Sequence, residues 1–290
     1  MISRDYTGKL AGRVAVVTGS SRGIGRALVL AFAAAGADVV VAGKSETEDA
    51  RLPGTIHDVA REARSLGVNA LAIRTDVRAE TDVRQLIDRT VGELGRVDIA
   101  VSNAGALWWE RLVDTPPRRY DLMLQVNVRA TYLLAYYALP HMVRQRWGHL
   151  LTNSPAIGDE PTPGMAAYMT TKMGMTRLAL GIAAEHRDDN VAANALWPAA
   201  PIDTAATRNW GRDKMGDPAQ WRRPQIYVDA AMEILTSEPS RCTGRMVTDE
   251  EILAERGWTE RDLDSYWVTG QRPRDPLWID GRAATAQEVS

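Results

Sequence analysis

The stretch RVAVVTGSSRGIGRALVLAF near the N-terminus constrains the fold more than any other part of the 290-residue chain. Its valine-rich run at 13–18 indicates a buried parallel strand, and helical spacing follows over 23–35. Three glycines lie between the strand and the helix: Gly19, Gly23 and Gly25. Glycine lets the backbone turn tightly and approach a ligand, and a helix N-terminus attracts phosphate groups. The sequence therefore predicts a fold that begins with a phosphate-binding turn.

The same alternation of strands and helices continues along the chain. Further strands are predicted at 37–42, 70–77, 148–153, 191–196 and 245–248, and residues 96–105 are predicted as a strand that runs into a turn. Further helices are predicted at 55–66, 81–94, 119–146, 165–187 and 226–236. Because strands alternate with helices over short loops, we expect an α/β fold with a doubly wound parallel sheet of the Rossmann type, in a single domain.

Two segments depart from this alternation. Residues 200–225 are irregular and polar, which indicates an excursion over a substrate cleft or a mobile loop. We place the Rossmann domain at 1–248 and a C-terminal extension at 249–290, which packs on the domain or on a neighbouring subunit. Four aromatic residues give the extension apolar anchors: Trp258, Tyr266, Trp267 and Trp278. Disorder is expected in its last ten residues, GRAATAQEVS.

Composition argues against several kinds of partner. The formal net charge is −2 and no long run of Lys or Arg occurs, so nucleic acid is not an expected partner. Cys242 is the only cysteine, and no Cys or His cluster has the spacing of metal ligands. The N-terminus lacks the apolar region of a secretory signal, and no apolar run approaches the roughly 18 residues of a membrane span. We expect a cytoplasmic enzyme with no metal and no membrane span.

The glycine turn also matches a motif of hydrolases. Residues 19–23 fit G-x-S-x-G, in which Ser21 would be a nucleophile on a turn after a strand. That motif needs an earlier strand and loop for the oxyanion hole, and a histidine late in the chain. Here the turn follows the first strand, and no histidine occurs after His186. A serine hydrolase therefore stays an alternative, although the sequence lacks the earlier strand and the late histidine that this motif needs.

The end of the second strand bears on the choice of cofactor. Proteins of this fold that bind NAD usually place an Asp or Glu there to hold the ribose hydroxyls. Here the strand ends in VAGKS, and Asp38 stands at its start instead. Lys44 follows the strand and Arg22 lies in the glycine turn, and two cations would suit a 2′-phosphate. We expect NADP(H), with NAD(H) as the alternative.

Three motifs occur in order, each on the expected element. They are the glycine turn, Asn103-Ala104-Gly105 after the fourth strand, and Tyr168-x-x-x-Lys172 on a helix. With this combination, the chain resembles the short-chain dehydrogenase/reductase family over about residues 10–248. The resemblance implies an oxidoreductase that moves a hydride between a nicotinamide and an alcohol or ketone.

The resemblance also implies roles for four catalytic residues. Tyr168 would exchange a proton with the substrate oxygen. Lys172 would lower the pKa of the tyrosine by its charge and hold the nicotinamide ribose. Ser154 would hydrogen-bond the substrate oxygen, and Asn127 would position a water that completes the proton relay.

A larger set of residues would hold the cofactor by the same resemblance. Asp76 would hydrogen-bond the adenine amino group, and Thr204, one residue later than is usual, would meet the nicotinamide carboxamide. The full set is Gly19, Ser21, Arg22, Gly23, Ile24, Gly25, Lys44, Asp76, Val77, Asn103, Ala104, Gly105, Tyr168, Lys172, Pro198 and Thr204.

Departures from the family pattern point to a subgroup. Pro155 follows Ser154 where a second serine is usual, and Trp197-Pro198-Ala199 replaces the usual Pro-Gly. The stretches NALWPAAPIDTAA, LVDTPPRRYDLM and TGRMVTDEEILAERG resemble the hydroxysteroid dehydrogenase-like subfamily. Some members of that subfamily carry an added sterol-carrier domain, which we do not expect within these residues.

The sequence says less about the substrate than about the cofactor. Trp108 and Trp109 lie near the expected substrate mouth and fit an apolar, lipid- or steroid-like alcohol or ketone. Adjacent residues rarely point the same way, so at most one of them should line the pocket. The resemblance implies a homodimer or homotetramer, with the helices at 119–146 and 165–187 at one interface. A non-enzymatic NADP(H)-binding sensor or scaffold on the same fold is the alternative function.

Overall fold

The computed structural model of the chain describes residues 4–274 apart from 50, 51, 159, 160 and 211, together with residues 276 and 279. Its strands are β1 (Val14–Thr18), β2 (Asp38–Gly43), β3 (Ala70–Arg74), β4 (Ile99–Ser102), β5 (Gly148–Asn153), β6 (Val191–Trp197) and β7 (Met246–Thr248). They pair in parallel in one sheet, in the order β3-β2-β1-β4-β5-β6-β7. The predicted doubly wound sheet is confirmed. Its order reverses between β1 and β4, where such sheets bind ligands beyond the strand ends.

Helices cover both faces of this sheet. They are α1 (Gly23–Ala34), α2 (Ile56–Ser65), α3 (Glu80–Leu94), α4 (Pro117–Met123), α5 (Ala130–Gln145), α6 (Ala166–Glu185), α7 (Ala205–Trp210), α8 (Arg212–Met215), α9 (Gln225–Leu235), α10 (Asp249–Glu255) and α11 (Glu260–Asp264). Side chains of α1, α2 and α9 share one buried cluster, and those of α3, α5 and α6 share another. The two clusters are the cores on either side of the sheet.

Strand β1 shows why the first apolar run is unbroken. Ala15 and Val17 belong to the core with α1, α2 and α9, whereas Val14 and Val16 belong to the core with α3, α5 and α6. Successive residues of a strand point to opposite faces, so a strand covered on both sides needs apolar residues throughout. Burial worth about 1.5–3 kcal/mol per valine therefore holds the strand that leads into the glycine turn.

The strand predicted within 96–105 is shorter in the structure, and a buried carboxylate lies just before its start. Strand β4 covers only Ile99–Ser102. Asp98, just before it, is fully buried and accepts a hydrogen bond from the Val14 amide at 2.9 Å. The same carboxylate accepts from the Arg96 guanidinium at 2.6 Å. This paired carboxylate joins the entrance of β4 to the start of β1.

The long helix predicted at 119–146 is interrupted in its middle. Between α4 and α5 the chain makes a π-helical turn over Leu124–Arg129, which contains the buried Asn127. Arg146 then ends α5 in the left-handed conformation, with φ 55°. A π turn is rare and is often found at functional sites, and here it accompanies a predicted catalytic residue.

Part of the segment 200–225 is firmly embedded, so the mobile-loop alternative is wrong for that part. Trp221 and Arg222 are both fully buried. Arg222 forms an ion pair with Glu250 of α10, and its guanidinium carbon lies 4.3 Å from the centre of the Trp267 ring. The segment also carries α7 and α8, which begin at Ala205 and Arg212.

The extension beyond β7 packs against the domain over its described part. Helices α10 and α11 both begin with capping boxes, at Thr248 and Thr259. Three of the predicted anchors, Trp258, Tyr266 and Trp267, are buried, and the Tyr266 hydroxyl donates to the carboxylate of Asp229 on α9. Trp278 and the last ten residues lie outside the described residues.

Candidate active site

A cleft of about 500 Å³ opens at the carboxyl edge of the sheet. Every residue predicted to hold the cofactor lines it: Gly19, Ser21, Arg22, Gly23, Ile24, Gly25, Lys44, Asp76, Val77, Asn103, Ala104, Gly105, Tyr168, Lys172, Pro198 and Thr204. Two of the four predicted catalytic residues, Tyr168 and Lys172, are in this set. The other two, Asn127 and Ser154, are buried behind the wall of the cleft.

The glycine turn is so closely packed that two of its glycines have no room for a side chain. A Cβ on Gly19 would lie 2.8 Å from the Cα of Ala104, and Gly19 itself has φ +67°. A Cβ on Gly25 would lie 2.5 Å from the Gly19 carbonyl oxygen and 2.6 Å from Asn103 Nδ2. Gly23 begins α1, so the backbone reaches the cleft at a helix N-terminus, as pyrophosphate binding requires.

Asn103 ties the glycine turn to the loop that follows β4. Its Nδ2 donates to the carbonyl oxygens of Thr18 at 3.0 Å and Gly19 at 3.2 Å. The Thr18 hydroxyl in turn accepts from the amide of Ala104 at 3.2 Å. The predicted support by Asn103 near β4 therefore has a definite form, since its amide bridges two loops of the cleft.

The two predicted phosphate-binding cations differ in their surroundings. Arg22 Nη2 donates to Ser45 Oγ at 2.8 Å and to the Gly54 carbonyl oxygen at 3.0 Å, so its guanidinium is held against the loop after β2. Lys44 has a side chain that is 59% exposed, and its Nζ lies 4.0 Å from Asp76 Oδ2. Lys44 is therefore the freer of the two cations for a ligand.

Asp76 already has a cationic partner. The Arg78 guanidinium donates to Asp76 Oδ1 from Nε at 2.9 Å. This hydrogen bond, assisted by the charges of Arg78 and Lys44, lowers the pKa of Asp76 to about 2. The carboxylate is therefore ionised at neutral pH and can act only as an acceptor, which suits an adenine amino group.

Tyr168 and Lys172 lie one turn apart on the buried face of α6. Tyr168 is 6% exposed and Lys172 is 4% exposed. Lys172 Nζ donates to the carbonyl oxygen of Asn153 and lies 5.9 Å from the centre of the Tyr168 ring. It also lies 5.3 Å from the centre of the Trp197 ring. The ammonium is therefore placed between a backbone carbonyl and two aromatic rings.

Burial dominates the protonation of this pair. It raises the pKa of Tyr168 well above its usual value, because a phenolate loses its hydration there. It lowers the pKa of Lys172 to about 7, because an ammonium loses its hydration in the same way. That the charge of Lys172 lowers the pKa of Tyr168 stays a prediction.

Asn127 connects the cleft loop to α6 from within the π turn. Its Nδ2 donates to the Ala106 carbonyl oxygen and to Thr171 Oγ1, both at 2.9 Å, and its Oδ1 accepts from the Ala106 amide at 2.8 Å. Thr131 Oγ1 donates to the Asn127 carbonyl oxygen at 2.6 Å. The side chain thus joins the loop after β4 to α6.

The structure does not place the Ser154 hydroxyl in the cleft, so its predicted contact with the substrate oxygen is corrected. Ser154 is fully buried. Its Oγ accepts from Thr176 Oγ1 at 2.8 Å and lies 2.8 Å from Thr152 Oγ1. Strand alternation puts Thr152 and Ser154 on the same face, and Thr152 is buried there as well. Pro155, which follows, offers no hydroxyl in its place.

Thr204 closes the cleft over the glycine turn. Its Oγ1 accepts from the Thr207 amide at 3.2 Å and lies 3.0 Å from Thr207 Oγ1. A Cβ on Gly23 would touch its methyl group at 3.4 Å. Thr204 is therefore near the phosphate-binding turn, and its hydroxyl is shared with α7.

The cleft is apolar on the side of Tyr168. The Trp109 ring lies 6.0 Å from the Tyr168 ring, edge to face. Trp109 lines the cleft, whereas Trp108 lies beneath the guanidinium of Arg119 at 4.4 Å, which agrees with the expectation that only one of them lines it. Leu107, Val126, Trp197, Met215 and Ile279 complete this wall.

Several residues of the site were missed by sequence reasoning. Ser45 holds Arg22, Asn153 lines the cleft and accepts from Lys172, and Thr171 binds Asn127. Ser45 and Asn153 each stand at a strand end, which is the signal that could have found them. Ile279 lies far beyond the last strand, and no local pattern indicates its place in the cleft.

The hydrolase alternative finds no support in this geometry. Within the described part of the chain, no histidine contacts Ser21. The four histidines have other partners: His57 with Glu46, His141 with Arg144, His149 with Ser237 and His186 with Asp189. Among the described residues, no group of three or more His, Cys, Asp or Glu could hold a metal ion, and no helix is long and apolar enough to cross a membrane.

Comparisons with known proteins identify the family of the chain. Residues 13–215 match the family model described as short chain dehydrogenase. The chain is 39% identical over 279 residues to hydroxysteroid dehydrogenase-like protein 2 of Danio rerio, covering 95% of this chain and 66% of that protein. It is 37% identical to the human protein of that name, covering 94% and 64%. The chain therefore spans somewhat less than two thirds of these relatives.

Two solved structures resemble the chain in fold and sequence. A putative dehydrogenase from Xanthomonas campestris is 40% identical, with a TM-score of 0.86 over 92% of this chain and 97% of that one. A metagenomic short-chain oxidoreductase in complex with NADP is 27% identical, with a TM-score of 0.67 over 83% and 98%. From the matched family model, these relatives and the shared fold, we conclude that the chain belongs to the short-chain dehydrogenase/reductase family and is an oxidoreductase.

Proposed function

We propose that the chain is an NADP(H)-dependent oxidoreductase that moves a hydride between the nicotinamide and an apolar secondary alcohol or ketone. The observation that carries this proposal is the placement of Tyr168. Its buried ring lines one cleft together with Lys172, the glycine turn and an apolar wall. A proton donor, a cofactor cradle and a pocket for a carbon skeleton are thus contiguous.

The residues of the cleft fit a phosphorylated dinucleotide. Gly19 and Gly25 leave space that a side chain would fill, at the N-terminus of α1, where a pyrophosphate is favoured. Arg22 and Lys44 would share the 2′-phosphate, and Lys44 is exposed enough to meet it. The similarity to an oxidoreductase in complex with NADP adds to this choice. NAD(H) is the competing cofactor.

Other residues would hold the remaining parts of the cofactor. Asp76 would accept a hydrogen bond from the adenine amino group, beside Val77. Lys172 would hold the nicotinamide ribose, and Thr204 and Pro198 lie where the nicotinamide end would enter. The cofactor, when bound, supplies or accepts the hydride, and the protein supplies orientation and the proton.

Tyr168 would handle the proton. Because burial raises its pKa, the phenol stays protonated at neutral pH and can donate from Oη to a ketone oxygen as negative charge develops there. In the opposite direction the same oxygen would take the proton of the alcohol. Lys172, with a pKa of about 7, exchanges protons readily and would stabilise the phenolate when charged. Asn127 would position a water through its backbone.

The apolar wall indicates the substrate class. Trp109, Trp197 and Met215 line the cleft on the side of Tyr168, and a wall of such side chains fits an apolar carbon skeleton. The names of the curated relatives, hydroxysteroid dehydrogenase-like proteins, are consistent with such a substrate.

The test is a turnover assay with NADPH and NADH on a panel of apolar ketones, followed by Tyr168→Phe. We expect NADPH-dependent reduction that falls at least 1,000-fold in the variant, on the order of what loss of an acid catalyst costs. NADPH affinity, measured by fluorescence, should stay within a factor of about three. Undiminished turnover in Tyr168→Phe would overturn the mechanism, and NADPH binding without turnover of any ketone would favour the sensor alternative.

We also propose that the chain forms a homodimer or homotetramer in the cytoplasm. Tyr132 and Tyr136 on α5 are 50% and 57% exposed, and their rings stack 5.8 Å apart. Exposed aromatic residues of this kind commonly mark an interface between subunits. Light scattering on the purified chain measures its mass, and Tyr136→Lys should reduce that mass if α5 lies at an interface.

A further inference from the structure

The C-terminal extension returns to the cleft far from where it leaves the sheet. Ile279 lines the same cleft as Tyr168 and Lys172, although the last strand ends at Thr248. Its amide donates to the Ala199 carbonyl oxygen at 2.9 Å, and its carbonyl oxygen accepts from Trp197 Nε1 at 3.0 Å. Two hydrogen bonds therefore hold this one residue against the end of β6.

The extension is anchored to the domain before it reaches the cleft. Trp267 is fully buried against the guanidinium of Arg222, which pairs with Glu250. The amide of Val268 donates to the Trp221 carbonyl oxygen at 2.9 Å. These contacts hold the extension against the domain as far as Val268.

Ile279 belongs to the substrate side of the cleft and not to the phosphate side. It packs on an apolar cluster that contains Tyr168, Met169 and Trp197. The Trp197 ring that donates to its carbonyl oxygen also lies 5.3 Å from Lys172 Nζ. The Trp197 indole thus contacts Ile279 and also lies near Lys172. Ile279 is therefore close to the region where the carbon skeleton of a substrate would lie.

We infer that Ile279 forms a wall of the substrate pocket and limits the size of the ketone that can reach Tyr168. This inference rests on the proposed function. A branched side chain at the wall excludes atoms of the substrate, and one methylene group more or less in such a pocket changes kcat/KM by about 10- to 200-fold. The extension is then a specificity element of the active site.

The first experiment compares a small and a bulky ketone, cyclohexanone and 2-adamantanone, with NADPH. Ile279→Ala should raise kcat/KM for the bulky ketone relative to the small one at least 10-fold, and Ile279→Phe should lower that ratio. Val268→Ala, in the same extension but exposed and outside the cleft, should leave the ratio unchanged. A ratio within twofold of the parent in both Ile279 variants would overturn the inference.

A second experiment needs no turnover and separates this inference from the proposed function. In a Cys242→Ser background, Ile279→Cys and Val268→Cys are treated with iodoacetamide, and the alkylation rates are followed by mass spectrometry. We expect the thiol at position 279 to react at least 10-fold more slowly than that at 268, because it is packed against Trp197. Equal rates would overturn the inference even if ketones are reduced. Slow alkylation at position 279 without reduction of any ketone would support the packing of this residue in the wall of the cleft and would reject the proposed substrate class.

Discussion

Ser154 Oγ accepts a hydrogen bond from Thr176 Oγ1 at 2.8 Å, and this contact holds the serine hydroxyl inside the protein between β5 and α6. Ser154 is fully buried and does not line the cleft beside Tyr168, so its hydroxyl has no open path to a substrate oxygen there. Thr176 Oγ1 also lies 2.6 Å from the Pro155 carbonyl oxygen, so the pair is part of the packing around the strand end.

Ser154→Ala should therefore leave most of the activity. We expect kcat to fall less than about 10-fold, whereas removal of a donor that stabilises developing charge costs about 10²–10³-fold. Stability should fall by about 1 kcal/mol, because Thr176 loses one hydrogen-bond partner. Steady-state kinetics and urea unfolding give both values, and a kcat loss as large as that of Tyr168→Phe would return Ser154 to a catalytic role.

Cofactor preference should depend on Lys44 more than on its neighbours. Lys44→Ala removes an exposed cation, and we expect NADPH affinity to fall about 10-fold, the equivalent of one charge-assisted contact, with NADH affinity unchanged. The control is Arg61→Ala, which removes an exposed cation on α2. Binding is measured by the fluorescence of the reduced nicotinamide. Equal losses for both cofactors would show that Lys44 does not meet a 2′-phosphate.

The buried lysine should make stability rise with pH. Burial lowers the pKa of Lys172 from 10.5 to about 7, so between these values the unfolded chain binds more protons than the folded one. Stability therefore increases as the pH rises through this window, and the full cost, on the order of 5 kcal/mol, is felt below pH 7.

Lys172→Met should remove this dependence. Allowing for the lost hydrogen bond to the Asn153 carbonyl oxygen, we expect the variant to be more stable than the parent by about 1–3 kcal/mol at pH 6. The difference should shrink or reverse by pH 9. Urea unfolding of both proteins at the two pH values is the measurement, and a difference that is independent of pH would contradict the lowered pKa.

The glycine turn should not tolerate one additional methyl group. Gly25→Ala would place a Cβ 2.5 Å from the Gly19 carbonyl oxygen and 2.6 Å from Asn103 Nδ2. We expect NADPH affinity to fall at least 100-fold and stability to fall by about 1–3 kcal/mol, as in other overpacked sites. Gly92→Ala on α3 is the matched control, because its Cβ would meet nothing within 4 Å. That variant should be more stable by about 0.5–1 kcal/mol, with unchanged affinity.

Arg222, the buried arginine that anchors the extension, should affect stability rather than catalysis. Arg222→Met removes the buried cation that pairs with Asp249 and Glu250, and leaves Glu250 with Arg272 at 3.7 Å. Loss of one partner of a buried pair typically costs about 3–5 kcal/mol. Arg84→Met, which removes an exposed pair with Asp88, should cost less than about 0.5 kcal/mol. Thermal unfolding compares the two, and similar small losses would mean that the buried pair is not an anchor.

The sheet could be predicted because its signals are local. The strand predicted at 148–153 coincides with β5, and the glycine turn follows β1 as expected. Strand β4 was predicted too long, since the pattern of apolar residues does not show that Asp98 is used to bind Val14 and Arg96.

The sequence predicted which positions line the cleft better than it predicted where individual side chains point. The cofactor-binding residues predicted by resemblance all line the cleft. Ser154 was misassigned, although its alternation with the buried Thr152 offered a local signal. Ile279 could not be found by any local pattern, because its place depends on how the whole extension folds back.

The π turn at Leu124–Arg129 sets the angular relation between the two halves of the long helix. An α-helix advances about 100° per residue, so one extra residue in a turn rotates everything beyond it by that amount relative to an unbroken helix. Deleting a single residue from the turn would restore a regular helix but would rotate Asn127 and α4 out of phase with α5. The bridge from Asn127 to Ala106 and Thr171 would then be lost, although no residue of the bridge itself had changed. The helical phase of this segment is thus as much a determinant of the cleft as the side chains that line it.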